Sequence, residues 1–112
     1  MSQPSELNEW FRTTYPDVWE TFAELAEACH EGGPLDERSR RLVKLALAIG
    51  AGLEGATHSA IRHAAEAGIT RQEMAHVAIL GITTLGYPAA MRAMSWIGDD
   101  AGEEPAEGEA GV

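Results

Sequence analysis

The chain has 112 residues, 45% of them apolar, a single cysteine, and a formal net charge of −10 at pH 7. That length suits one domain around one modest core, one cysteine rules out an internal disulfide, and no apolar run approaches the roughly 18 to 20 residues of a membrane span. The negative balance argues against nucleic acid or an anionic membrane as the main partner, and the polar, acidic start lacks a secretory leader pattern, so the expected location is the cytoplasm.

Residues 1–16 read as a lead holding a short helix, Ser5 to Thr14, anchored by Trp10 and Phe11. Tyr15-Pro16-Asp17 breaks it, because the residue before proline avoids the α region. Residues 17–98 read as the helical domain. Asp17 to Glu31 predicts an amphipathic helix whose core stripe is Val18, Phe22, Leu25 and Cys29, widened by Trp19 and Ala26. On that stripe Cys29 is expected to be a buried, inert thiol. Glu20, Glu24, Glu27 and Glu31 line the other side, and Gly32-Gly33-Pro34 ends the helix.

Asp36 suits the cap of a helix to about Ile49, with Leu42, Leu45, Ala46 and Ile49 facing inward. Its first turns carry Arg38, Arg40, Arg41 and Lys44, a basic group suited to an anion or, by simple complementarity, to the glutamates of the preceding helix. Gly50-Ala51-Gly52 is a hinge into a helix from Glu54 to Ala67, with Ala56, Ala60, Ala64 and Ala67 on its inner side and Gly68 at its end. Thr70-Arg71-Gln72-Glu73 is a capping-box pattern. It opens a helix through Leu85 that is apolar nearly all round and therefore reads as the buried centre, with Gly81 marking a close helix crossing. Pro88 to Ile97 predicts a last helix holding Met91, Met94 and Trp96, which suit core or subunit contact. Residues 99–112 read as a disordered acidic tail. No stretch alternates as a strand would, so the fold class is all-α with five or six helices.

Leu35-Asp36-Glu37-Arg38-Ser39-Arg40-Arg41-Leu42-Val43-Lys44-Leu45-Ala46, the hinge, Arg62 through Glu73, and Thr83-Thr84-Leu85-Gly86-Tyr87-Pro88 together resemble the carboxymuconolactone decarboxylase-like family, which includes the alkylhydroperoxidase D proteins. The resemblance implies an all-helical AhpD-like fold assembled as a homotrimeric or homohexameric ring. It also implies a small pocket lined by the helix after the hinge. The peroxidase branch carries two cysteines at the positions of Leu53 and Ala56, a histidine at that of Ala60 and a glutamate at that of Arg41. None of those residue types is present here, which disfavours peroxiredoxin-type chemistry. The decarboxylase branch lacks the cysteines too but has a histidine near Ala60. The nearest upstream imidazole here is His58, about 200° away around the helix.

Glu54, His58 and Arg62 recur every four residues and so share one helix face. As a working site, His58 is the acid–base group, Glu54 orients it, and Arg62, with Arg41 or Arg40, holds a substrate carboxylate. As plain surface chemistry, the same three are a ladder of exposed charges. The competing functions are acid–base decarboxylation of a small carboxylated lactone or aromatic-breakdown compound, peroxide reduction on Cys29, and a non-catalytic ring that binds a ligand or partner. No cofactor is expected. No metal is expected either, since His58 and His63 are five apart, off the i, i+4 spacing of metal-binding helices.

Overall fold

The structure, a computed structural model, describes residues 4–100, with side-chain surroundings from Glu6 onward. The acidic tail expected at 99–112 thus lies outside the described residues except for Asp99 and Asp100. Among the described residues the only regular structure is helix, with no strand: α1 (Pro4–Thr14), α2 (Pro16–His30), α3 (Glu37–Ala51), α4 (Glu54–Glu66), α5 (Arg71–Leu80), the single turn α6 (Ile82–Leu85) and α7 (Tyr87–Asp100). It divides into two units at Leu35.

The first unit is α1 and α2. Pro16 opens α2 at the first helical position, where its missing N–H costs nothing. Aromatic rings tie the junction, with Phe11 5.4 Å from Tyr15 and 6.4 Å from Trp19 between centroids. No described residue of this unit is buried. The expected inward stripe is the outward one: Val18 is 55%, Phe22 59% and Leu25 59% exposed, and Cys29 is exposed rather than buried. Trp19, Ala26 and His30 are the better-covered positions of α2.

The second unit holds the core. Asp36 caps α3 by accepting from the Ser39 N–H at 2.8 Å. That bond, followed by those from the Ser39 side chain, holds the Asp36 carboxyl below its ordinary range against a small opposing effect of burial. Gly52 ends α3 in the left-handed region at φ +71°, and the Leu53 N–H reaches back to the Ala48 carbonyl at 3.2 Å, the bond of a Schellman turn. The hinge therefore has a defined direction that sets α4 against α3. Thr70 and Glu73 complete the expected capping box of α5.

Helix α3 packs on α4 and α5, and α7 packs across α4, α5 and α6. Leu45 and Ile49 from α3, Ile61 and Ala64 from α4, Met74 and Ala78 from α5, and Ala93 and Ile97 from α7 meet around Ile69. Each large side chain so enclosed contributes about 1.5–3 kcal/mol relative to exposure.

Five expectations are corrected here. The inner row of α4 is Thr57, Ile61 and Ala64, while Ala56 is exposed. Helix α5 is not buried all round, since Ile79 is 50% and Leu80 63% exposed. It also stops at Gly81, whose N–H bonds the Ala78 carbonyl three residues back and tightens the turn before α6. A Cβ at Gly81 would lie 3.2 Å from the Ala78 carbonyl oxygen and 3.3 Å from Leu85 Cδ1, so the close approach comes from its own next turn rather than from a crossing helix. Finally, α7 continues through Gly98 to Asp100.

Candidate functional site

The residues singled out in the sequence fall into two places. At the first, His58 lies between carboxylates. Its Nε2 is 3.3 Å from Glu54 Oε2, and its Nδ1 contacts Asp100 Oδ2 at the end of α7. Carboxylates only accept, so both ring nitrogens must carry protons to satisfy both contacts, which is the imidazolium form. Burial alone would lower the His58 pKa, but the Asp100 and Glu54 carboxylates outweigh it and raise the value above the ordinary 6.5. The ring centroid sits 6.1 Å from that of Trp96, and the Arg92 guanidinium lies over the same indole at 5.3 Å. Arg92 also reaches the hinge, since a Cβ at Gly52 would be 3.1 Å from its Nη2. Asp100 and Arg92 were not among the sequence candidates. Both come from α7, and nothing in local spacing ties them to α4.

The second place is a cavity of about 600 Å³ between α3 and α4. Arg41, Lys44, Ala48 and Ala51 form its α3 wall, and Leu53, Ala56, Ala60 and His63 its α4 wall, with Leu47 and Ser59 at the margins. The two walls have the same three–four–three spacing, one helical face laid against another. Every family-implied position, Arg41, Leu53, Ala56 and Ala60, is in this lining. Glu54, His58 and Arg62 are not. The structure thus brings Glu54 and His58 together but puts Arg41 in a different setting, and Arg62 is exposed.

Arg41 is held by its Nε donating to Glu37 Oε2 at 2.8 Å, which leaves its terminal N–H groups to meet an anion. Arg40 turns to the same glutamate, with Nη2 3.1 Å from Glu37 Oε1, and Arg38 pairs with Glu73. The three arginines of the basic group are therefore ordered by acids of α3 and α5. The Glu73 carboxyl is held below its usual range by the Thr70 backbone N–H first and Arg38 second.

His63 is the residue the sequence reading passed over. Its Nδ1 lies 2.9 Å from the Ser59 carbonyl oxygen, an atom that only accepts, so Nδ1 carries the proton. In the neutral ring Nε2 is then the nitrogen with the lone pair, the arrangement of a base with its tautomer fixed by a second bond. The signal was present: residue 63 lies three after residue 60 and hence on the same face, one turn along, whereas residue 58 does not.

The profile of the carboxymuconolactone decarboxylase family matches residues 16–99, a span that includes the α3–α4 cavity and all of the His58 cluster except Asp100. The chain belongs to the carboxymuconolactone decarboxylase family. No curated protein and no solved structure matches it. Among the described residues, no three histidine, cysteine or acidic side chains come together as a metal ion would need, and no helix is long and apolar enough to cross a membrane.

Proposed function

We propose that this member of the family is a cofactor-independent lyase, or close kin of one, that binds a small carboxylated compound between α3 and α4 and releases carbon dioxide by proton transfer. The observation that carries the reading is the coincidence of the family-implied positions with a cavity that also holds two cationic side chains and a tautomer-fixed imidazole. In this reaction the C–C bond to the carboxylate breaks and its electron pair moves onto a lactone carbonyl. Carbon dioxide leaves, and the imidazole, having taken a proton from solvent on Nε2, delivers that proton to the carbon. Arg41 and Lys44 serve best at the carbonyl oxygen where negative charge grows, or at a second carboxylate. Gripping the departing carboxylate would stabilise the ground state more than the transition state.

His63 takes the proton-transfer role in this reading, Arg41 and Lys44 the anion-holding role, and Ser59 orients His63. A second reading keeps proton delivery on His58, favoured by its raised pKa and its two carboxylate partners, with Glu54 orienting it and Arg62 and Arg40 outside the reacting centre. Peroxide reduction on the two-cysteine pattern has no place here, because Leu53 and Ala56 stand where the thiols would be. The remaining alternatives are peroxide reduction on the exposed Cys29 and a ring that binds the same anion without turnover.

Carbon dioxide release from a panel of carboxylated unsaturated lactones separates these. His63→Gln is expected to lower turnover by roughly 10²–10⁴-fold, the usual worth of a general acid, while His58→Gln leaves it within a few-fold. The opposite pattern assigns the chemistry to His58. Binding of the lactones without any release assigns the chain to the non-catalytic class.

A further inference from the structure

A second cavity, of about 480 Å³, lies on the other flank of α3, between its C-terminal half and α5–α6. Its walls are Ile49, Val77, Leu80 and Leu85 among small residues, and Thr84 is its one polar side chain. The two cavities adjoin, because Leu47 and Ala51 line both. Leu47 is 67% exposed and stands on the divide, while Ala51, one turn along, is small and leaves a low saddle. One side of α3 thus presents positive charge over a floor of alanines, and the other presents almost only hydrocarbon.

From this juxtaposition we infer that the preferred ligand is an amphipathic carboxylate, its anionic head beside Arg41 and Lys44 and an apolar arm passing over Ala51 into the cleft between α3 and α5–α6. This rests on the reading of the α3–α4 cavity as an anion site and adds a specificity element to it. Charge complementarity places the head, and continuity across the shared residues places the arm. A ligand that used the first cavity alone would leave Leu47, Leu80 and Leu85 in water. An arm laid over them removes apolar surface on both partners, and each fully buried methylene raises affinity by at most about fourfold.

Calorimetric titration of the full chain with acetate, hexanoate and decanoate tests this. The expected result is a gain of roughly tenfold or more from hexanoate to decanoate, below the ceiling set by complete burial of the added methylenes. Ala46→Trp, at an exposed position lining only the apolar cavity, is expected to remove that gain and leave hexanoate binding unchanged. Thr84→Trp blocks the same cleft from the opposite wall and is expected to do likewise, with far-ultraviolet circular dichroism showing that both variants keep their helices. Equal affinity for the three acids, or a chain-length gain that survives both blocks, overturns the inference while leaving the anion site standing. If Ala46→Trp instead disrupts an assembly and the wild type shows no chain-length gain, a second copy of the chain occupies the cleft and the inference is wrong. If no carboxylate binds, or Arg41→Ala binds hexanoate as well as the wild type does, the anion site itself fails and the inference falls with it.

Discussion

Two imidazoles show how this chain uses the same kind of side chain for two purposes. His58 is enclosed by acceptors on both nitrogens and stabilised as a cation, whereas His63 has one nitrogen committed to a carbonyl and the other open to chemistry. The His58 pKa is raised in the folded state, so its contribution to stability is fully present below the unfolded value near 6.5 and is lost as pH rises through the folded value. An NMR titration is expected to place the His58 ring above 6.5 and to show the value falling in Asp100→Asn. A ring that titrates at or below the ordinary value, with no response to Asp100→Asn, would contradict the clasp between α4 and α7. Only one of the two partners was legible in the sequence. Glu54 is four residues away on one helix, but Asp100 reaches His58 only because α7 returns across α4.

At the scale of elements, the helix starts were legible because capping is local chemistry: Asp36 and Thr70 each meet an N–H three residues on. Thr70→Ala is expected to cost about 1 kcal/mol of unfolding free energy in urea, and Met74→Ala, at a fully enclosed position, roughly 2–5 kcal/mol. A smaller cost for Met74→Ala than for Thr70→Ala would mean that α5 is not packed as described. The helix faces were less legible. Periodicity finds an apolar stripe but does not say whether the same chain covers it, and Val18, Phe22 and Leu25 form a regular stripe that α1–α2 leaves in the open. Likewise the alanines of α4 were read as core. Ala64 is buried there and Ala60 packs against it, but Ala56 is exposed, and Ala56 and Ala60 line a cavity, where small side chains make room. Metal-ligand spacing says nothing of His63, whose place in the cavity follows from its register with position 60.

Across the whole molecule, exposed apolar side chains away from the cleft between α3 and α5–α6 exceed what scattered surface residues require, with Val18, Phe22, Leu25 and Tyr87 each above 50% exposed. A closed homo-oligomer is the expected consequence, a trimer or a hexamer, and light scattering behind size exclusion checks it. A monomer at micromolar concentration would contradict that expectation without touching the α3–α4 site. The claim on which the functional account turns is that anions are received between α3 and α4, beside His63 and away from His58. The most direct measurement is a titration of the ¹⁵N-labelled chain with benzoate, followed by amide chemical shifts. The account predicts that the largest shifts map to Arg41, Lys44, Ser59, Ala60 and His63, and that Arg41→Ala abolishes them. Shifts centred on Glu54, His58 and Asp100 instead, or a response indifferent to Arg41→Ala, would contradict it.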